Sequence, residues 1–273
     1  MILYIILFSL IQGFTEFLPI SSQGHLIVFN SFFEFKPTDI INLTVVAHFG
    51  SLFAILIYHN TICVKLFLSI SNIFRSDIDQ NVTLLKNIFF SSLPIFLIAY
   101  LFSFFYDLNF LTNLKLIGYT TLSFGIILYI FDRSCLRIKT IESLPTKSAF
   151  FIGLIQSLAI IPGCSRSGLV ITAMRFLGYT RVESAIYSNL LSIPAISGAM
   201  VFLIYKNFTE NILSDLFNIT SIVIFFLSFF FSIIFIHFLI TWVRKSSFAI
   251  FLIYRIIFGL LLLTYVYLQP EIL

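Results

Sequence analysis

Two apolar stretches of this chain are each interrupted by a short run of Pro, Gly and Ser. No other feature constrains its fold as much. Ile2–Phe33 is broken at Pro19-Ile20-Ser21-Ser22-Gln23-Gly24, and Ala149–Leu177 at Pro162-Gly163-Cys164-Ser165-Arg166-Ser167-Gly168. A helix crossing the hydrocarbon needs about 20 mostly apolar residues. The breaks instead predict two short helices around a polar turn in each stretch, the pattern of a re-entrant hairpin.

Six further stretches read as plain spans: Ile41–Tyr58, Asn87–Tyr106, Leu114–Phe131, Ala185–Tyr205, Leu216–Ile240 and Ala249–Leu268. Composition agrees. Of 273 residues, 59% are hydrophobic and 10% charged, where soluble domains carry about 25% charge. Sixteen Lys and Arg with twelve Asp and Glu cannot clothe a water-facing globule of this size. That excludes a soluble enzyme, a disordered chain and a nucleic-acid partner. The expected fold is all-α and integral to the membrane, with six transmembrane helices plus two re-entrant helical hairpins. Cys63, Cys135 and Cys164 form no CxxC pair and no metal spacing, so core packing is expected of them. The N-terminus is apolar without a basic leader, so no removable signal peptide is expected.

Basic residues mark three connections as cytoplasmic. His59–Lys86 carries Lys65, Arg75 and Lys86, Asp132–Ser148 carries Arg133, Arg137, Lys139 and Lys147, and Thr241–Phe248 carries Arg244 and Lys245. Asp107–Asn113 and Lys206–Asp215 are neutral or acidic and belong outside. The first hairpin then enters from outside and the second from the cytoplasm. The two broken segments also align at a spacing of 144 residues: Gln12 with Gln156, Ser21 with Ser165, Gly24 with Gly168. A hairpin plus three spans repeated in this way gives an inverted-topology repeat. The expected organisation is one polytopic domain over 1–273, with halves 1–131 and 149–268 joined by a cytoplasmic connection at 132–148. In such a plan the broken helices meet near the midplane and form the site.

The breaks hold most of the unexpected polar groups. A carboxylate or guanidinium at membrane depth costs roughly 2.5–3.5 kcal/mol, so Glu16 and Arg166 each call for a partner. Gln12 and Glu16, four apart, share one helical face. Half-helices starting at about Gly24 and Gly168 would present unpaired N–H groups and the positive end of the dipole. With Ser and Arg beside them, such ends suit phosphate. Glu16 supplies a base or metal ligand, and His25 a proton carrier that titrates near neutral pH. A divalent ion between Glu16 and phosphate oxygens would neutralise developing charge.

QGFTEFLPISSQGH (Gln12–His25) and PGCSRSG (Pro162–Gly168) strongly resemble the two signatures of the bacterial undecaprenyl-diphosphatase (bacitracin-resistance) family. HFGSLFA (His48–Ala54) and NLLSIPAISGA (Asn189–Ala199) are similar to its lesser motifs, and the likeness runs from about Ile5 to Phe258. The resemblance implies a Mg²⁺- or Ca²⁺-dependent hydrolase of the bacterial cytoplasmic (inner) membrane, its site open to the outer face. Such an enzyme recycles the lipid carrier of cell-wall synthesis and confers bacitracin resistance. By position, the catalytic groups are Glu16, His25, Ser22 and Arg166, with Glu16 also the metal ligand. Gln12, Ser21, Gly24, Ser165, Ser167 and Gly168 fall on the substrate-binding positions. Two departures stand out: Gln12 occupies the first acidic position, and Val170 replaces the usual Thr, with Thr172 two residues too late to substitute. The expected partners are a polyprenyl diphosphate and membrane lipids. Oligomeric state is open, a homodimer being one candidate.

Other readings stand beside these. Inverted repeats with broken helices are also a transporter plan, so a transporter or flippase of an anionic or polyprenyl-phosphate substrate is the alternative. A phosphatidic-acid-type phosphatase needs a histidine shortly after its Ser-Arg, and none follows Arg166 before His237. His48, His59 and His237 read as packing or interfacial residues, Arg175 and Arg181 as cytoplasmic anchors, and Phe225–Phe235 as lipid-facing or core mass. Ser21, Ser165 and Ser167 have a plainer reading as caps. The nucleophile, Ser22 or water, is open.

Overall fold

The structure, a computed structural model, describes residues 2–32, 37–73, 79–104, 108–134, 138–209 and 218–268. Arg75, Tyr106, Asp107, Cys135, Arg137, Asp215 and Leu216 lie outside the described residues. Among the described residues the chain is helical throughout, apart from an isolated bridge between Lys139 and Tyr179. The helices are α1 (Ile2–Phe17), α2 (Ser22–Ser31), α3 (Pro37–Tyr58), α4 (Asn60–Ser69), α5 (Gln80–Ser103), α6 (Leu108–Thr112), α7 (Leu114–Ser134), α8 (Thr146–Ser157), α9 (Arg166–Phe176), α10 (Arg181–Thr209), α11 (Ile219–Lys245) and α12 (Ala249–Leu268).

Five of these, α5, α7, α10, α11 and α12, are long and apolar enough to cross a membrane. A sixth span is counted if Leu43–Tyr58 and Asn60–Asn72, bent by 86° at His59, are taken as one. The connection after Tyr58 thus begins as a helix rather than a loop. Both broken stretches give two short helices: α1 and α2 have 16 and 10 residues, α8 and α9 have 12 and 11. Each is shorter than a full crossing needs.

The polar residues of α11 face inward and its rings outward. Ser221, Ser228 and Ser232 are buried, while Phe226 and Phe230 are exposed. This reverses the pattern of a water-soluble helix and fits a helix bathed in hydrocarbon. Small residues then let backbones approach. A Cβ on Gly13 of α1 would lie 2.8 Å from the Ser232 amide nitrogen of α11, and one on Gly153 of α8 would lie 2.8 Å from the Ser91 carbonyl carbon of α5. So α1 packs on α11 and α8 on α5, while α3 meets α10 and α7 meets α12.

One expectation needs correcting. Arg175, expected as a cytoplasmic anchor, is not an exposed cation but fully buried, with Nε donating to Asp132 Oδ1 at 2.9 Å. Arg181 donates to both oxygens of the same carboxylate, and the Phe248 amide adds a fourth residue to it at 3.3 Å. Asp132 therefore ties together α7, α9, the start of α10 and the approach to α12. A buried charge must be paired, and Asp132 is the carboxylate within reach of both arginines.

Candidate functional site

The two turns share an uncommon backbone state. Ser21 (φ 77°) and Ser165 (φ 67°) are the non-glycine residues with positive φ among those described. A non-glycine residue there costs of order 1–3 kcal/mol. Each serine offsets part of that cost by capping the helix it precedes. Ser21 Oγ accepts from the Gly24 amide at 3.4 Å, and Ser165 Oγ from the Gly168 amide at 3.2 Å. The half-helices thus start at Ser22 and Arg166, two residues earlier than the sequence suggested. Glycine at the third position keeps the cap accessible, because a Cβ on Gly168 would stand 3.2 Å from the Ser165 hydroxyl oxygen. Ser167 joins the turns to each other, its Oγ donating to the Leu18 carbonyl at 2.8 Å.

Between the turns lies an ion pair. Arg166 Nη2 donates to Glu16 Oε1 at 2.9 Å, with both side chains largely shielded from solvent. Arg166 Nη1 donates to the Ser188 carbonyl at 3.2 Å and to the Ser192 hydroxyl. Glu16 Oε2 accepts from Ser22 Oγ at 2.7 Å and from Gln12 Nε2 at 3.2 Å. His48 Nε2 stands 3.3 Å from the same oxygen. Its Nδ1 lies 2.7 Å from the Thr44 carbonyl, which can only accept, so Nδ1 carries a proton. The contact with Glu16 is then a hydrogen bond when the ring is an imidazolium. Gln12 also donates to Ser51 Oγ at 3.4 Å, and its Oε1 is buried without a partner among the described residues.

The sequence-predicted residues fall into two groups. Gln12, Glu16, Ser22 and Arg166 meet directly, while Ser21, Gly24, Ser165, Ser167 and Gly168 build the turns around them. His25 faces elsewhere. Its Nδ1 donates to the Ser21 carbonyl at 2.7 Å and its Nε2 lies 2.7 Å from the Tyr254 hydroxyl. The ring stacks on Phe258 at 4.0 Å between centroids. Neither nitrogen is left for Glu16 or Arg166. Val170, which replaces the family's usual Thr, is fully buried, and Thr172 donates to the Gly168 carbonyl at 2.6 Å.

Sequence reasoning missed His48, Ser51, Ser188 and Ser192. The signal was present for three of them, since His48, Ser51 and Ser192 are, with Asn189 and Ser197, the polar members of the two lesser motifs. His48 also lines a cavity of about 90 Å³ with Thr44 and Val45 of α3 and Ile196, Ala199 and Met200 of α10.

A divalent cation fits this donor set in one manner. Among the described residues no three His, Cys, Asp or Glu cluster as a metal site. The hard oxygens on offer are the Glu16 carboxylate, the unpartnered Gln12 Oε1 and Ser22 Oγ. One carboxylate plus phosphate oxygens is an ordinary environment for Mg²⁺, which seldom needs an all-protein cage.

Fold and site together define a class: an all-helical, multi-pass membrane protein with a carboxylate–guanidinium pair held between two capped half-helices. The chain's relatives narrow it further. The family described as bacitracin resistance protein BacA matches residues 5–261. An undecaprenyl-diphosphatase of Pelagibacter ubique is 38% identical over 97% of this chain and 98% of its own length. Undecaprenyl-diphosphatase 1 of Rhodospirillum rubrum is 33% identical over 100% of this chain and 98% of its own length. The corresponding figures for an undecaprenyl-diphosphatase of Prochlorococcus marinus are 36%, 94% and 96%. The chain belongs to the BacA family.

Proposed function

We propose that this protein hydrolyses undecaprenyl diphosphate to undecaprenyl phosphate and inorganic phosphate, recycling the lipid carrier of cell-wall synthesis. Kinship with the undecaprenyl-diphosphatases supports the substrate. The observation that carries the chemistry is the Glu16–Arg166 pair at the mouths of two half-helices. Arg166 holds the terminal phosphoryl group, competing with Glu16 for it, and the N–H groups opening α2 and α9 add donors and positive dipole ends. Glu16, freed from Arg166, takes the proton of the nucleophile. That nucleophile is Ser22 Oγ, already donating to Glu16, or a water in its place. Attack at the terminal phosphorus forms one P–O bond and breaks the bridging one. Undecaprenyl phosphate leaves, and water hydrolyses any phosphoseryl intermediate. The proton held on Glu16 passes to the leaving oxygen or the released phosphate, and His25, engaged by the Ser21 carbonyl and the Tyr254 hydroxyl, holds the first turn in place. Glu16, Gln12 and Ser22 would hold a divalent cation, which supplies charge neutralisation at the phosphoryl oxygens.

The finer topology belongs to the same reading: six spans and two re-entrant hairpins, halves 1–131 and 149–268 inverted about the site. The exchanged pairings of α1 with α11 and α8 with α5 support it, as do the matching caps at Ser21 and Ser165. We place the protein in the cytoplasmic membrane with its site open to the outer face. The cavity beside His48, between α3 and α10, is the candidate path for the first isoprenyl units. A homodimer is the candidate assembly, to be read by mass measurement in detergent. The test of the activity is phosphate release from undecaprenyl diphosphate by the purified chain, with and without chelator.

A further inference from the structure

Arg255, in the second turn of α12, is fully buried, and no carboxylate pairs with it among the described residues. Main-chain carbonyls surround it instead. Nη1 donates to Pro19 O at 3.1 Å, in the first turn. Nη2 donates to Gly163 O at 2.9 Å, in the second turn, and both terminal nitrogens lie 3.4 Å from Cys164 O. Nε donates to Thr121 O of α7 at 2.8 Å. One side chain thus grips both turns and the helix behind them.

Carbonyls at a helix break have no partner within the helix, and in hydrocarbon none from water. A guanidinium answers this with five N–H groups in a rigid planar fork, which an ammonium on a flexible stem cannot reproduce. Charge matters as well. A Cβ on Gly168 would stand 3.3 Å from Arg255 Nη1, so the guanidinium lies against the N-terminus of α9. Its full positive charge adds there to the dipole end.

We infer that Arg255 is a positioning residue of the phosphate site. It holds the two turns in register from behind, so that Glu16 and Arg166 meet, and its uncompensated charge favours a multiply charged diphosphate over neutral lipid. The second half of this rests on the hydrolase reading; the first does not.

Cys164 reports on the second turn directly, being fully buried there. In a Cys63→Ser, Cys135→Ser background it is the single thiol of the full chain. Its labelling by a small methanethiosulfonate is compared in Arg255→Lys, Arg255→Met and the Arg255 parent. Both variants label roughly tenfold faster as the turn loosens. Turnover of undecaprenyl diphosphate falls by roughly a hundredfold in both, as misplaced catalytic groups do. Arg255→Lys keeps its charge, so its KM stays within about threefold of the parent, while that of Arg255→Met rises further. A side chain that merely filled space would give Arg255→Met normal labelling and no split between KM and kcat. Should Arg255→Met not fold, Arg255→Lys decides alone: parental labelling in that variant overturns the inference. If the parent releases no phosphate yet the labelling contrast stands, the hydrolase reading fails and the positioning role survives.

Discussion

Glu16, in the last turn of α1, and Arg166, the first residue of α9, are 150 residues apart in the chain and meet at 2.9 Å. Each alone is a costly charge in a membrane interior. Together they neutralise one another, and in the proposed reaction they separate when a phosphate takes the guanidinium.

Removing either partner should therefore cost both turnover and stability. Arg166→Ala and Glu16→Gln are each expected to lower phosphate release by at least about a hundredfold, the scale for losing a group that stabilises charge in the transition state. Breaking a buried pair from one side typically costs about 3–5 kcal/mol. The double variant Glu16→Gln/Arg166→Ala should lose less stability than the two singles summed. Thermal unfolding in detergent measures this, and strict additivity would mean the pair does not interact.

Ser22 donates to Glu16 at 2.7 Å and is already aligned to lose its proton. Ser22→Ala is expected to reduce kcat by roughly 10²–10⁴-fold, the range for losing a positioned proton-transfer group. KM should move far less. A kcat within threefold of wild type would exclude Ser22 from the reaction.

The caps separate two effects at one position. Ser165→Ala loses the hydrogen bond to Gly168 and keeps the unfavourable positive φ, so it should destabilise by about 1 kcal/mol or more. Ser165→Gly loses the same bond but relaxes the backbone, and should lie within a few tenths of a kcal/mol of wild type. Equal unfolding midpoints for the two variants would contradict the cap assignment.

The proposed cation depends on substrate phosphates as co-ligands, because the site offers one carboxylate. Chelator should abolish phosphate release reversibly, and Mg²⁺ or Ca²⁺ should restore it. Without substrate, the same cations at millimolar concentration should leave the unfolding midpoint unchanged. A large cation-dependent rise in that midpoint would instead indicate a preformed metal site.

Asp132 tests stability apart from chemistry. Asp132→Asn leaves Arg175 and Arg181 without their carboxylate and should cost about 3–5 kcal/mol. The folded fraction should keep near-normal turnover, since the cluster lies away from the phosphate turns.

The sequence read well where a polar residue interrupts an apolar stretch. Both breaks, both capping serines and the Glu16–Arg166 pair were visible in that way, because a charge in hydrocarbon must find a partner and few were on offer. It read poorly where a polar residue sits inside an otherwise ordinary span. His48 looked like packing or an interfacial residue and Arg255 drew no reading at all, because hydropathy does not say which face of a helix points inward. Arg175 was misjudged for the same reason, its partner Asp132 lying 43 residues earlier. His25 was identified from its motif, but its direction, toward Tyr254 and Phe258, depends on how α12 packs. The helix at Asn60–Ser69 reads as a connection because Asn60, Thr61 and Lys65 interrupt its apolar run.

The most direct test of the central claim is phosphate release from undecaprenyl diphosphate by purified wild-type and Arg166→Ala protein, both verified as folded, in detergent with divalent cation. The account predicts steady release by the wild type and almost none by the variant. Near-normal turnover without Arg166, or none by the wild type alongside anion uptake in proteoliposomes, would contradict it.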